Sequence, residues 1–133
     1  PFKTALIIGV WAHLLAGAAL REVVVSHTDD QGILQLYGMK EDGTGSRQLT
    51  FSKTGCRMPS CSSDGKKLVY VEQVGHAMAL RLADLNGGKV RTLVGEGMNM
   101  LPSWLPDSKH LIWMKVKPQP KQDQGGPGPK NTQ

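Results

Sequence analysis

Residues 58–71 read MPSCSSDGKKLVYV, and residues 101–114 read LPSWLPDSKHLIWM, so one segment occurs twice at an offset of 43 residues. Both copies contain Pro-Ser, then an Asp followed two residues later by a Lys, and then an apolar run. An apolar run of four residues that follows a turn signal is typical of a short buried strand. The segment is therefore interpreted as a turn followed by a strand, present twice.

A second pair of segments keeps nearly the same spacing. Residues 36–50 read LYGMKEDGTGSRQLT and residues 80–94 read LRLADLNGGKVRTLV, an offset of 44 in which Gly43 matches Gly87. Because chance matches would not share a period, these segments indicate an internal repeat of 43–44 residues.

The repeat unit is predicted to consist of β-strands. Short apolar runs at 23–25, 68–71 and 111–114 are bounded by turn signals, as strands are. No stretch of residues 21–116 has a convincing helical period. We therefore predict an all-β fold of about nine strands, arranged as four-stranded antiparallel meanders.

The predicted turns lie between these strands at matching places of the repeat. Asp42-Gly43 and Asn86-Gly87 are dipeptides favoured in type I′ hairpin turns, in which both central residues have a positive φ. A period of 43–44 residues with four strands is also the size of one blade of a β-propeller.

The order of these strands and turns resembles the TolB-type β-propeller repeat, which commonly reads Pro-Ser-Trp-Ser-Pro-Asp-Gly-Lys before an apolar strand. The chain keeps PSW at 102–104 and DGKK at 64–67, and departs from the pattern at Cys61 and Ser63. The resemblance covers residues 23–116. It implies an exported protein that works through protein contacts. Propellers of this type serve as docking platforms, sensor domains and gating domains of peptidases.

The number of blades is small. Residues 21–116 amount to a little over two repeats, whereas propellers have four to eight blades. We therefore expect about two four-stranded TolB-like blades, an incomplete propeller whose open strand edges invite pairing with another chain. Three explanations fit so small a number of blades: self-association, docking on a larger partner, or a truncated gene product.

The beginning of the chain is an uncharged apolar segment, and we predict one apolar helix over residues 1–20. Residues 5–20 read ALIIGVWAHLLAGAAL between Lys3 and Arg21, the order of an export signal with cleavage before Ala19. The alternatives are an uncleaved inner-membrane anchor over residues 2–20 and a buried core helix. The side chains predicted to face the membrane are Ala5, Leu6, Ile7, Ile8, Val10, Trp11, Leu14 and Leu15. Signal and anchor alike predict a periplasmic or other extracytoplasmic location for the rest of the chain.

Residues 117–133 read KPQPKQDQGGPGPKNTQ, which is rich in Pro, Gly and Gln and has no apolar side chain beyond the prolines. Such a composition cannot bury enough surface to offset the entropy of ordering. The sequence therefore predicts a flexible tail, either without a role or acting as a docking strap.

The net charge of +5 is distributed along the chain. Residues 21–116 hold 12 Lys and Arg against 10 Asp and Glu, and no basic run is longer than Lys66-Lys67. Basic residues interleaved with stacking aromatics, which a single-strand binder needs, do not occur. We therefore expect no nucleic-acid partner.

Catalytic and cofactor motifs are not apparent in the sequence. It contains no Gly-x-Ser-x-Gly, His-Glu-x-x-His or P-loop pattern. The four histidines, His13, His27, His76 and His110, have no metal-ligand spacing. We therefore predict that the chain is not an enzyme and that it has no catalytic residue, metal site or cofactor.

Cys56 and Cys61 are five positions apart. Outside the cytoplasm they could form a disulfide, which would need a bend at Gly55 or Pro59 because one extended strand holds them too far apart. Two free buried thiols, or a metal or redox role, are the alternatives.

A group of large apolar residues lies in and around the second copy of the repeat. Its members are Met98, Met100, Leu101, Trp104 and Trp113. Methionine and tryptophan are enriched at protein interfaces, so we predict a partner-contact surface here, with packing between blades as the alternative.

These observations predict an extracytoplasmic, non-enzymatic protein-interaction module. Its partners would be other protein subunits of a membrane-associated complex, for which respiratory, photosynthetic and secretion assemblies are examples. The alternative is a fragment or remnant of a propeller domain from a peptidase or sensor protein, with no activity of its own.

Overall fold

The computed structural model describes residues 22–117, which contain nine β-strands. The strands are β1 (Glu22–Thr28), β2 (Leu34–Lys40), β3 (Arg47–Gln48), β4 (Cys56–Cys61), β5 (Lys67–Val74), β6 (Ala77–Asp84), β7 (Arg91–Val94), β8 (Met98–Trp104) and β9 (Leu111–Val116). The prediction of an all-β fold with about nine strands is confirmed for this range. The predicted N-terminal helix, with its membrane-facing side chains, and the tail beyond Lys117 lie outside the described residues.

The strands form three antiparallel groups, which we call the first blade (β1–β3), the middle blade (β4–β7) and the third blade (β8–β9). Met78 and Met98 form one parallel bridge, which connects β6 of the middle blade to β8 of the third. Two four-stranded blades were expected, but the structure has one such blade between two partial ones. The apolar runs and turns mark the period, but they do not show which strand begins a blade.

The turns differ in type from the expected type I′. The N–H of Gly43 donates to the carbonyl of Lys40 over 2.8 Å, and the N–H of Lys40 donates to the carbonyl of Thr44 over 2.9 Å. Gly43 has a φ of 83°, but Asp42 does not have a positive φ. This is the three-residue loop in which a type I turn precedes one left-handed residue. The Asp42 side chain favours it by accepting the N–H of Thr44 over 2.9 Å.

The core lies on both sides of the middle blade. Leu68 and Tyr70 of β5 pack towards the first blade, in one cluster with its Val24, Leu36 and Leu49. The cluster also contains Cys56, Cys61 and Ala83, with Leu85 packed against it. Because alternate residues of a strand point to opposite faces, Leu68 and Tyr70 belong to one face of the blade.

The other face of β5 carries Val69 and Val71, which are buried with Met78 and Leu80. Trp104 and Leu111 of the third blade pack against this second cluster. Both faces of β5 are thus covered by neighbouring blades, which explains its unbroken apolar run.

The first strands of the middle and third blades share an irregularity. Register shifts lie between Arg57 and Ser60 in β4 and at the matching place in β8, and Met58 and Leu101 have positive φ values of 54° and 51°. The N–H of Trp104 donates to the Oγ of Ser60 over 3.2 Å, so the two bulged strands are joined directly. The repeated Pro-Ser segment therefore marks a β-bulge that recurs from blade to blade.

Two glycines at matching places of the repeat allow a controlled test of the contact between blades. Gly43 and Gly87 have φ values of 83° and 86°. A Cβ at Gly43 would meet nothing within 4 Å, whereas a Cβ at Gly87 would overlap the backbone oxygen of Leu49 in the first blade. Gly43→Ala should therefore cost only the left-handed backbone penalty, about 1–2 kcal/mol. We expect Gly87→Ala to lower the free energy of unfolding by clearly more, as measured by urea denaturation, and equal losses would contradict the close approach.

Candidate interaction surface

The face of the third blade that points away from the middle blade is apolar, and no other part of residues 22–117 covers it. Leu111 packs against the middle blade, so the residues that alternate with it along β9 point the other way. On β8, Met98 and Met100 lie opposite Val116 and Met114 and share their face. We call this surface the open face. Its residues are Met98, Met100, Ile112, Met114 and Val116.

The repeat shows how unusual this exposure is within the molecule. Ile112 and Met114 correspond to Val69 and Val71 one repeat earlier. Val69 and Val71 are both 0% exposed, whereas Ile112 is 56% and Met114 is 47% exposed. The sequence thus builds two equivalent surfaces, and the described residues cover only one of them with a neighbouring blade.

The edge of the third blade is uncovered as well. Within the described range β9 pairs only with β8, whereas its counterpart β5 pairs with β4 on one side and β6 on the other. An unpaired edge presents backbone N–H and C=O groups that can accept a further strand. The open face and this edge adjoin each other.

The residues predicted to contact a partner separate into two groups. Met98, Leu101 and Trp113 are exposed, and Met100 is half-buried. Trp104, also half-buried, packs against the cluster of Val69 and Leu80, so for this residue packing between blades is what the structure shows. Sequence reasoning missed Ile112, Met114 and Val116. They could have been found from the alignment of residues 111–114 with 68–71, because alternate residues of a strand lie on the same face.

A buried amide holds the third blade in place beneath this surface. Asn99 is fully buried, and its Nδ2 donates to the carbonyl of Met78 over 2.9 Å and to that of Glu96 over 3.0 Å. The N–H of Met78 in turn donates to the carbonyl of Gly97 over 2.9 Å. These bonds fix the start of β8 against β6 and so position the open face.

The first blade, at the opposite end of the described stack, has a face that no other described strand covers. Val24 and Leu36 pack towards the middle blade, so Val25 and Tyr37, which alternate with them, lie on the other side. A cleft of about 530 Å³ opens over this side. We call it the cleft face. The residues that define it are Val25, His27, Tyr37, Met39 and Gln48. The rings of His27 and Tyr37 meet edge to face, with centroids 5.8 Å apart.

Cys56 and Cys61 are present as free thiols, and both are buried. They belong to the core cluster between the first and middle blades. Burial raises the pKa of the Cys61 thiol to about 11 and also raises the pKa of the Cys56 thiol. Among residues 22–117 no group of three metal-ligating side chains comes together, so neither thiol belongs to such a group there.

The acidic side chains of the turns are occupied by the turns themselves. Asp107 accepts the N–H groups of Lys109 and His110 and lies 2.5 Å from the His110 ring nitrogen Nδ1. This contact with His110 is the main cause that lowers the pKa of Asp107 to about 2. Asp29 and Asp64 likewise accept backbone N–H groups within their own turns. These carboxylates therefore stabilise turns.

Comparison with known proteins gives the fold. No protein-family model matches the chain. An uncharacterised protein of Agrobacterium fabrum is 27% identical over 99 residues, which are 65% of this chain and 34% of that protein. A putative TolB from Agrobacterium tumefaciens superposes with a TM-score of 0.55 at 24% identity, over 71% of this chain and 39% of the other. The fold is a TolB-like propeller repeat.

Part of a peptidase has a similar fold. The acylaminoacyl peptidase of Pyrococcus horikoshii is similar with a TM-score of 0.58 and 17% identity, over 84% of this chain and 18% of the peptidase. The TolB-like chain spans about a third of the length of the Agrobacterium fabrum relative and a smaller share of the length of the peptidase. The likeness thus covers one portion of a propeller: a complete blade with parts of its two neighbours.

The thiols offer a test of the core between the first and middle blades. A thiol with a pKa of about 11 is almost entirely protonated at pH 8, and the thiolate is the reactive form. We expect Cys61 to react with a disulfide reagent about a hundredfold more slowly in the native protein than in urea, and Cys56, whose pKa is also raised by burial, to react more slowly as well. The absorbance of the thiolate that is released from the reagent measures both rates. Fast labelling of both thiols in the native protein would contradict this packing.

Proposed function

We propose that the chain is a non-enzymatic protein-interaction module that works outside the cytoplasm as an accessory subunit of a larger membrane complex. The open face supports this proposal most directly. Burying one large apolar side chain contributes about 1.5–3 kcal/mol, and exposed patches of this kind mark contact sites. A respiratory, photosynthetic or secretion assembly would supply such a partner.

The adjoining β9 edge adds directionality to this surface. Apolar contact alone is non-directional, whereas a strand added to an edge fixes register through backbone hydrogen bonds. A partner that packs on Met114 and also pairs with β9 would use both. The two features together support docking of a folded protein over capture of a small molecule.

The non-enzymatic part of the proposal is supported by how the polar groups are used. Asp29, Asp64 and Asp107 hold turns, and the buried thiols are kept protonated. His27, His76 and His110 are exposed on different loops or strands. Turnover in a broad hydrolase screen would overturn this part.

The extracytoplasmic location is supported by the apolar segment of residues 2–20. In residues 22–117 the structure has no helix long and apolar enough to cross a membrane. Any membrane attachment through a helix of this chain would therefore involve residues beyond that range, and the N-terminal segment has the composition for it.

A second candidate function follows from the peptidase likeness. The repeat would then be one portion of the propeller of a larger peptidase or sensor protein, and the open face would pack on the next blade of the same polypeptide. The similarity to the Pyrococcus peptidase over 84% of this chain favours this alternative. A polypeptide much larger than 14.4 kDa, detected in host cells with an antibody against residues 22–117, would establish it.

The docking proposal predicts site-specific cross-linking in the native host. With p-benzoylphenylalanine in place of Met114, irradiation of intact cells should join the chain to one or a few defined membrane-complex proteins. The matched control places the same group at Val90, which is 51% exposed and lies before β7, away from the open face. Mass spectrometry identifies the products. Equal cross-linking from both positions, or none from Met114, would overturn the proposal.

Location can be measured with a reporter fused after Lys117. Alkaline phosphatase needs disulfides that form outside the cytoplasm, so we expect high phosphatase activity from the full N-terminal part of the chain. The double substitution Leu14→Arg and Leu15→Arg places two charges in the apolar segment and should abolish the activity. Activity that survives this substitution would contradict export through this segment.

A further inference from the structure

The cleft face lies at the end of the described stack opposite the open face, and the proposed function leaves it unused. We propose that this face binds an extended peptide segment of a partner protein, in which a Lys or Arg lies between apolar residues. The inference goes beyond the proposed function, because it needs nothing from the open face. With both surfaces occupied, the chain would connect two proteins.

A second cleft continues the first beyond the cleft face. The first has a volume of about 530 Å³ and the second of about 320 Å³. Asp29, Asp30 and Gln48 line both, so the two form one groove, which runs from Met39 to Phe51 and which we call the long groove. Asp30 and Phe51 are exposed within it. Pockets for small molecules enclose most of the ligand, so this open groove is better suited to an extended peptide.

The long groove is negatively charged where its two clefts meet. The first cleft is lined by the carboxylates of Asp29 and Asp30 and by no Lys or Arg, and the second contains one cation, Lys53. Neither carboxylate forms an ion pair within residues 22–117, whereas that of Glu22, for example, pairs with Arg47 over 3.0 Å. The groove therefore favours a ligand with a positive charge at this place.

The ionisation of Tyr37 is affected by the same charge. Burial raises the pKa of Tyr37, and the charges of Asp29 and Asp30 raise it further. The pKa of Asp29 itself is lowered mainly by the hydrogen bond from the N–H of Ile33, with no contribution from a neighbouring cation. A ligand cation would therefore meet carboxylates that no described Lys or Arg has paired with.

Asp29 and Asp30 differ in how they are held. Oδ1 of Asp29 accepts the N–H groups of Gln31 and Ile33, both over 2.9 Å, and its Oδ2 accepts Nε2 of Gln35 over 3.1 Å. Asp30 is exposed and forms no ion pair in the described range. Asp30 is therefore the carboxylate free to pair with a ligand, and Asp29 fixes the turn that positions it.

Apolar side chains lie on both sides of this charge. On one side the first cleft has Val25, Tyr37 and Met39. On the other side Phe51 is 78% exposed, the highest value among the large apolar side chains of residues 22–117. Lys and Arg have long apolar stems that lie along such walls while the charged end reaches a carboxylate. The ligand that fits is therefore a basic residue with an apolar neighbour on each side.

The walls around the charge are fixed before a ligand binds. The Tyr37 hydroxyl donates to Oε1 of Gln48 over 3.4 Å, and Nε2 of Gln48 donates to the carbonyl of Thr50 over 2.7 Å. The His27 ring packs edge to face against the Tyr37 ring. Side chains that are already ordered lose little entropy on binding, so the groove is suited to recognise a short segment.

The ligand can be identified with a phage-displayed library of short random peptides, selected on the full chain in detergent. We expect the enriched peptides to contain Lys or Arg with an apolar residue on each side, because these groups match the carboxylates and the two apolar walls. Parallel selection on Asp30→Lys should not enrich them. This substitution leaves the hydrogen bonds of Asp29 within the turn in place.

Fluorescence anisotropy of one labelled, enriched peptide then measures its dissociation constant for each variant. Asp30→Lys should raise the constant about tenfold or more, because a repelling charge replaces an attracting one. Phe51→Ser should raise it about fivefold through the lost apolar contact. Glu41→Lys is the matched control, since it makes the same change of charge on an exposed turn of the same blade outside the groove. It should leave the constant unchanged, and circular dichroism checks that each variant is folded.

Enriched peptides without a basic residue, equal affinity for Asp30→Lys, or no enrichment would overturn the inference. Equally tight binding of N-acetyl-lysine amide alone would also overturn it, because the ligand would then be a small amine. Self-association of the chain that Asp30→Lys abolishes would overturn it in favour of a second copy.

Peptides that bind Asp30→Lys but not Met114→Lys would occupy the open face. They would overturn this inference and leave the proposed function standing. The proposed function fails by a different result, namely the absence of cross-links from Met114 in cells, which does not affect peptide binding at Asp30.

Discussion

The burial of both faces of β5 is the constraint on which the rest of the structure depends. Leu68 and Tyr70 need the first blade on one side, and Val69 and Val71 need the third blade on the other. A twisted sheet with two apolar faces cannot hide them by itself, so such blades are stable only when they are stacked. The recurring bulge and the close approach of Gly87 to Leu49 set how near the stacked blades lie.

The same constraint creates the surface proposed to have a function. The middle blade has apolar residues on both faces, and the third blade repeats one of these faces at Ile112 and Met114. In the described residues Ile112 and Met114 are exposed at one end of the stack, whereas Val25 and Tyr37 at the other end are half-buried beside a cleft. The function proposed for the chain is thus a continuation of the packing that folds it, with a partner surface taking the place of the next blade.

Much of this was predictable from the repeat. The offset of 43–44 residues identified the propeller repeat and the all-β fold, because a period of this length with strand and turn signals has few other structural solutions. The turn type was not predictable, since the Asp42 side chain selects between two loops that share the Asp-Gly dipeptide. Of the predicted contact residues, Met98, Leu101 and Trp113 are exposed, but Trp104 packs between blades.

The sequence by itself determined the repeat, the strands and the places of the turns, because these depend on local alternation and on Gly and Asp at fixed positions. Tertiary structure alone decided where each blade begins, and which face of each strand is covered. Strand alternation gives Val69 and Ile112 the same apolar character, and only the arrangement of neighbouring blades buries the first and exposes the second. Which side chains are exposed depends on how the blades stack. Stacking depends on contacts between residues far apart in the sequence, and no local pattern encodes these contacts.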